Sequence, residues 1–280
     1  ANNAHTVQLF GMDYSWSVVI SGILLTICVA LVVIGGLKRI STVAQVIVPF
    51  MAVTYVVACL LVLIFNVTAI PAAIVTIVQS AFGMRAVAGG ALGAVIMAMQ
   101  KGIARGIFSN EAGMGSTPHA HATAEVKDPC DQGIIAMMGV FIDTFIILTL
   151  TALVILSTGV LGNGQTGSEL AQSAFNVGFG NFGNIFIALC MLFFAFTTIV
   201  GWYYFGEVNV RHLFGNGAIK VYAVIVVICV IIGSTLKVDL VWDMADMFNG
   251  LMVLPNLIAL LGCLAIVRKL TKKSENSKEK

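Results

Sequence analysis

One run of the chain concentrates polar chemistry at the end of an apolar stretch: Lys101-Gly102-Ile103-Ala104-Arg105-Gly106-Ile107-Phe108-Ser109-Asn110-Glu111-Ala112-Gly113-Met114-Gly115-Ser116-Thr117-Pro118. It carries three charges, four glycines and a proline. Lys101 and Arg105 are four residues apart and share a helix face. Gly106, Gly113 and Gly115 weaken a helix, and Pro118 cannot continue one. Together they predict a broken helix near residues 106–117. At membrane depth such a break is tolerated only where it is buried in protein or lines a cavity. Its freed backbone N–H and C=O groups can bind a carboxylate or a cation, the usual construction of a secondary-transporter site. The plainer reading is a cytoplasmic helix end with a glycine-rich cap. Nucleotide chemistry does not fit: the run lacks a phosphate-loop motif, and Gly113-Met114-Gly115 follows an apolar helix rather than a strand. His119 and His121, two apart, fall on different faces of any helix, so loop hydrogen bonding explains them better than a metal site.

A second cluster is Phe194-Ala195-Phe196-Thr197-Thr198-Ile199-Val200-Gly201-Trp202-Tyr203-Tyr204-Phe205-Gly206-Glu207. Thr197 and Thr198 offer two hydroxyl oxygens, and Thr198 shares a helix face with Trp202. A hard cation such as sodium takes oxygen ligands, and hydroxyls with a backbone carbonyl are suitable donors. The alternative is that the hydroxyls bond back to carbonyls of their own helix. Glu207 is spaced to pair with Arg211 on the next turn, a structural role. Asp239, Asp243, Asp246, Asn249, Pro255 and Asn256 form a third polar set, an outer gate or, preferred, a helix-packing seam. Pro255 should kink its helix. Asp143 is a lone acid that needs a partner, with Lys101 and Arg105 as candidates.

The elements that must position these residues follow from composition. Of 280 residues, 59% are hydrophobic and only 10% charged, with a net charge of +2. An ordinary soluble domain is about half apolar and about a quarter charged. A soluble globular enzyme, a disordered chain and a nucleic-acid binder are therefore excluded, and lipid is the main solvent. Seven runs suffice to span a bilayer: 15–36, 41–66, 88–110, 132–160, 183–210, 218–236 and 240–268. They are continuously apolar rather than alternating, which favours helices over a barrel. The shorter segment 69–82, behind Pro71, reads as an interfacial or re-entrant helix. With a cytoplasmic C-terminus, eleven of the 15 basic residues lie inside and only Arg85 and Lys237 outside. The positive-inside rule thus sets the N-terminus outside and the C-terminus inside. The tail from Thr271 to Lys280 is polar and expected to be disordered. The six cysteines show no CxxC or clustered spacing and suggest neither zinc nor a disulfide framework.

Arg105-Gly106-Ile107-Phe108-Ser109-Asn110-Glu111-Ala112-Gly113-Met114-Gly115-Ser116, followed by Ala120-His121-Ala122 and by Asp128-Pro129 to Gln132-Gly133, closely resembles the alanine-or-glycine:cation symporter family. Gly35-Gly36-Leu37-Lys38-Arg39-Ile40 with Val48-Pro49-Phe50-Met51, and Asn249-Gly250-Leu251-Met252 with Pro255-Asn256-Leu257, look like further patterns of that family. The resemblance implies an all-α polytopic membrane protein with a leucine-transporter-like inverted five-plus-five repeat. It implies sodium-coupled uptake of small neutral amino acids across the bacterial or archaeal inner membrane, with no enzymatic step, no cofactor and no obligate protein partner. On that resemblance residues 1–66 would be the last two helices of the first repeat. Residues 67–268 would be the second repeat, and 269–280 a cytoplasmic polar tail. Phe108, Ser109, Asn110, Glu111 and Gly113 would face the substrate. Phe194 through its carbonyl, with the Thr197 and Thr198 hydroxyls, would hold sodium, and Trp202 would limit side-chain size. Family members usually have about eleven spans, so the resemblance also implies a C-terminal portion lacking the first four. The rival readings are a proton-coupled or sodium-independent transporter of the same fold and a truncated, non-transporting membrane subunit.

Overall fold

The computed structural model describes residues 6–9, 12–81 and 92–278. The start of the expected span 88–110 lies outside these residues, as do Phe82, Arg85 and Lys280. Helix dominates, as continuously apolar runs require in lipid, because every backbone N–H and C=O then finds its partner within the segment. A short antiparallel hairpin, β1 (Thr6–Leu9) with β2 (Met12–Ser15), precedes the helices, in register Thr6↔Ser15 to Leu9↔Met12. Next come α1 (Trp16–Val33), α2 (Gly36–Phe65), a 3-10 turn (Val67–Ala69) and α3 (Ile70–Ala81). They are followed by α4 (Leu92–Ser109), α5 (Thr117–His121), α6 (Pro129–Phe141), a π-helical segment (Ile142–Leu148) and α7 (Thr149–Ser157). The last described elements are α8 (Gly167–Phe179), α9 (Asn181–Phe214), α10 (Ala218–Gly233) and α11 (Val238–Lys278).

Four stretches are long and apolar enough to cross a membrane: Lys38–Phe65, Pro129–Ser157, Asn181–Phe214 and Val238–Asn276. Val18–Val33, Val67–Ala81 and Ala218–Gly233 are shorter apolar helices. The chain is therefore a multi-pass membrane protein. Of the seven expected spans, 15–36 and 218–236 are realised as the shorter kind, and α4 is the described part of 88–110. The outer faces are apolar: Ile258 and Leu261 on α11 are each 74% exposed. In water such a surface would be a liability, whereas in lipid it is the solvated face.

The chain divides into two compact units. The first comprises residues 1–51 and 190–248. Its core joins Val29, Val32 and Val33 of α1 and Ile40 of α2 to Phe196, Val200, Tyr203 and Tyr204 of α9. Glu207 is buried one turn beyond Tyr203 and is ion-paired with Arg211, the pairing expected from their spacing.

The second unit comprises residues 52–189 and 249–280. Tyr55, Cys59 and Val62 of α2 are buried, as are Val154 of α7 and Phe175 of α8. The Tyr55 ring lies 5.8 Å from the Phe175 ring, and its hydroxyl is 2.8 Å from Thr151 Oγ1. Asp128 caps α6, accepting the Cys130 N–H at 3.0 Å, with Pro129 in the first turn where a missing donor costs nothing.

Two expectations need correction. The tail is helical rather than disordered, since α11 continues unbroken to Lys278. Extending an existing helix fixes one residue per added hydrogen bond, Lys and Glu are good helix formers, and lysines near a C-terminus suit the helix dipole. The helix break also starts later than 106: Gly106 lies inside α4, which ends at Ser109. A glycine weakens a helix by only about 1 kcal/mol, which its neighbours can offset.

Candidate functional site

Between α4 and α5, residues 110–116 leave the helical path. Glu111 has φ 51°, the non-glycine residue with positive φ among those described, and Gly113 and Gly115 have φ 76° and 80°. The left-handed conformation costs an L-residue about 1 kcal/mol or more, and glycine nothing comparable. The glycines therefore stand where the turn needs them, and Glu111 needs compensation. It receives it locally: Glu111 Oε2 accepts the Ser116 hydroxyl at 2.6 Å and the Thr117 hydroxyl at 2.8 Å. Ser116 is 2% exposed, so its hydroxyl depends on that carboxylate.

The turn is also braced from outside. Thr144 donates to Asn110 Oδ1 at 2.8 Å, and Ser109 donates to Asp143 Oδ2 at 2.7 Å. Asp143, expected to need a partner, thus has one in Ser109. Both braces come from the π-helical segment, a wider turn in which the Thr149 hydroxyl reaches back to the Thr144 carbonyl at 3.3 Å. Such π turns often mark functional sites. From α11, Asn256 Nδ2 donates to the Gly113 carbonyl at 2.8 Å. The Arg105 guanidinium carbon lies 6.0 Å from the centre of the Phe108 ring, a cation–π distance.

An open cleft of about 750 Å³ adjoins the turn, lined by Asn110, Glu111, Gly113 and Gly115 together with His121, Gln132 and Asn256. The two histidines serve this loop: His119 Nδ1 is 3.0 Å from the Ser116 carbonyl and His121 Nδ1 is 2.6 Å from Gln132 Nε2.

Phe108, Ser109, Asn110, Glu111 and Gly113 therefore gather at one turn of the second unit. Phe194, Thr197, Thr198 and Trp202 lie on α9 in the first unit. There the Thr197 hydroxyl donates to the Phe193 carbonyl at 2.9 Å and also approaches the Phe194 carbonyl at 3.2 Å. Its sulfur neighbour is Met51 at 3.8 Å. Thr198 is exposed, and the half-buried Trp202 meets Phe205 edge-on at 5.7 Å. A threonine that donates its proton to a carbonyl keeps oxygen lone pairs for a cation.

Asn256 is the functional candidate that residue patterns did not single out as a partner of the turn. Its signal is slight: an amide beside an in-helix proline, within an apolar run.

The sodium:alanine symporter family model matches residues 1–280. The amino-acid carrier protein AlsT of Bacillus subtilis is 44% identical over 243 residues, 86% of this chain and 51% of that protein. The probable sodium/glutamine symporter GlnT of the same organism is 42% identical over 241 residues, covering 85% and 50%. The sodium/alanine symporter AgcS of Methanococcus maripaludis is 38% identical over 267 residues, covering 94% and 57%. The chain spans about half the length of the curated relatives it matches. The chain belongs to the sodium:alanine symporter family, a family of membrane transporters.

Proposed function

We propose, with that membership as premise, that the chain takes part in sodium-coupled symport of a small neutral amino acid, alanine or glycine. Transport runs inward across a bacterial or archaeal cytoplasmic membrane, with the N-terminus outside and the C-terminus cytoplasmic. The fold is a leucine-transporter-like inverted repeat, residues 1–66 belonging to the first repeat and 67–268 to the second. Alternating access then couples downhill sodium entry to uptake by rocking one helix group against the other.

The observation that carries this reading is the unwound turn at 110–116. In a lipid-facing chain, backbone that leaves the helix at such cost has to serve a polar partner. Backbone groups of the turn recognise the amino and carboxyl groups common to all amino acids. Phe108, Ser109, Asn110, Glu111 and Gly113 border the substrate, and the Glu111 carboxylate also fixes the turn's shape. On α9 the Phe194 carbonyl and the Thr197 and Thr198 hydroxyls coordinate sodium, and Trp202 limits the side chain to a methyl or less. Relatives named for alanine and for glutamine support neutral amino acids as the substrate class.

The test is uptake of labelled alanine and glycine by the protein in proteoliposomes, with a sodium gradient and with choline in its place. Uptake that follows the sodium gradient supports the reading. Uptake unchanged in choline but driven by a proton gradient would replace sodium with proton coupling. Absence of uptake under both gradients overturns transport by this chain.

A further inference from the structure

We infer that Asn256 is a positioning residue: from the last helix it holds the Gly113 carbonyl and so fixes the unwound turn in its substrate-reading shape. The inference rests on the turn being the substrate-recognition element proposed above.

Three observations converge. Asn256 Nδ2 donates to the Gly113 carbonyl at 2.8 Å across 143 residues of sequence. That carbonyl has left the helix, so an external donor does what a helical N–H would otherwise do. On its other side the Asn256 amide fills the space beside Gly115. A Cβ on Gly115 would come within 2.9 Å of Asn256 Oδ1 and 3.0 Å of its Cγ. One side chain thus sits against both left-handed glycines of the turn, bonded to one and packed on the other. Asn256 also lines the cleft that the turn borders. The other braces act elsewhere: Glu111 ties the end of the turn back to its second residue, and Thr144 holds its first. Only α11 reaches Gly113 among the hydrogen bonds described. Displacement of that stretch of α11 would release the Gly113 carbonyl, so occupancy of the turn and the position of the helix are coupled.

The substitution Asn256→Asp keeps shape and volume, removes the donor and sets an acceptor against an acceptor. Asn256→Gln restores a donor one methylene further out. Two measurements separate the possibilities. The first is hydrogen–deuterium exchange of residues 110–116 by mass spectrometry on the protein in lipid nanodiscs. It needs no transport, so it stands even if the transport reading fails. N256D should exchange about fivefold faster there, the population change that one net hydrogen bond is worth, with α8 unchanged. The second is sodium-driven alanine uptake. N256D should raise the half-saturating alanine concentration by less than about twofold, since a turn that is mostly formed stays mostly formed after a fivefold rise in its open population, with little change in maximal rate, and N256Q should lie nearer wild type. Unchanged exchange in residues 110–116 overturns the inference. Faster exchange across all helices would show a general structural role and overturn it as well. A wild-type protein that transports nothing in sodium or proton gradients refutes the transport reading, while the exchange result still decides whether Asn256 holds the turn.

Discussion

Removal of the Glu111 carboxylate is the sharpest perturbation the structure offers. Its Oε2 accepts the Ser116 and Thr117 hydroxyls, while its own backbone sits at φ 51°. Two hydrogen bonds to a charged acceptor at about 1.5 kcal/mol each give about 3 kcal/mol. The left-handed backbone returns about 1 kcal/mol of that, so the turn is held by about 2 kcal/mol from these terms. Glu111→Ala loses both bonds and keeps the strain, leaving the turn unfavourable by about 1 kcal/mol. The competent fraction then falls to about one in six. Glu111→Gly loses the bonds but sheds the strain, which leaves about half competent. Glu111→Gln retains neutral bonds and costs about 1 kcal/mol, which leaves most of the turn formed. Because apparent affinity scales with the competent fraction, half-saturating alanine in proteoliposomes should rise about sixfold for E111A and about twofold for E111G, and stay near wild type for E111Q. Equal values for E111A and E111G would remove the backbone contribution. Wild-type affinity for E111A at equal protein incorporation would refute the whole account.

Gly115→Ala forces a Cβ against Asn256 at a residue held at φ 80°, so it should cost about 2 kcal/mol and weaken uptake, read as half-saturating alanine. Thr197→Ala and Thr198→Ala should raise the sodium concentration for half-maximal uptake several-fold while thermal unfolding stays unchanged. Among the described residues the Thr197 hydroxyl bonds to carbonyls of its own helix and to a thioether, so its removal strands no buried donor there. An unchanged sodium dependence returns both threonines to helix bonding alone. Trp202→Ala should admit neutral amino acids larger than alanine, assayed by competition with serine, valine and glutamine. Unchanged selectivity would remove Trp202 from the size limit.

The long apolar runs and the polar break near Gly113 were legible because each is a local property of the residues that carry it. Continuous hydrophobicity names a membrane helix, and Gly-x-Gly before a proline names its end. The pairing of Glu207 with Arg211 was legible for the same reason, one helical turn being a fixed spacing. The support of the break was not. Asn256 meets Gly113 from 143 residues away, and Asp143 and Thr144 meet Ser109 and Asn110 from 34. Such pairings leave no periodicity in either segment. Glu111 is set facing the substrate by the family resemblance, and its hydroxyl partners were not part of that expectation. Its two hydroxyl partners lie in the same short segment, but only the reversed backbone brings them onto one oxygen. Gly106 misled in the opposite direction, since glycine marks where a helix can break and not where it does. The lysine-rich end of α11 misled because polarity was read as disorder, although its residues favour helix.

The π-helical segment has a consequence for how the second unit divides its work. In a regular helix a seven-residue step returns a side chain to within about 20° of where it started. Thr144 and Thr151 are seven apart, yet one bonds Asn110 at the unwound turn and the other sits against Tyr55 in the buried core. The widened turn between them rotates less per residue, so it acts as an angular offset, aiming its upstream side at the unwound turn and its downstream side at the buried core. Removing a single residue from 145–148 would cancel that offset without removing any group that bonds. The span would then have to choose between its grip on the turn and its seat in the core.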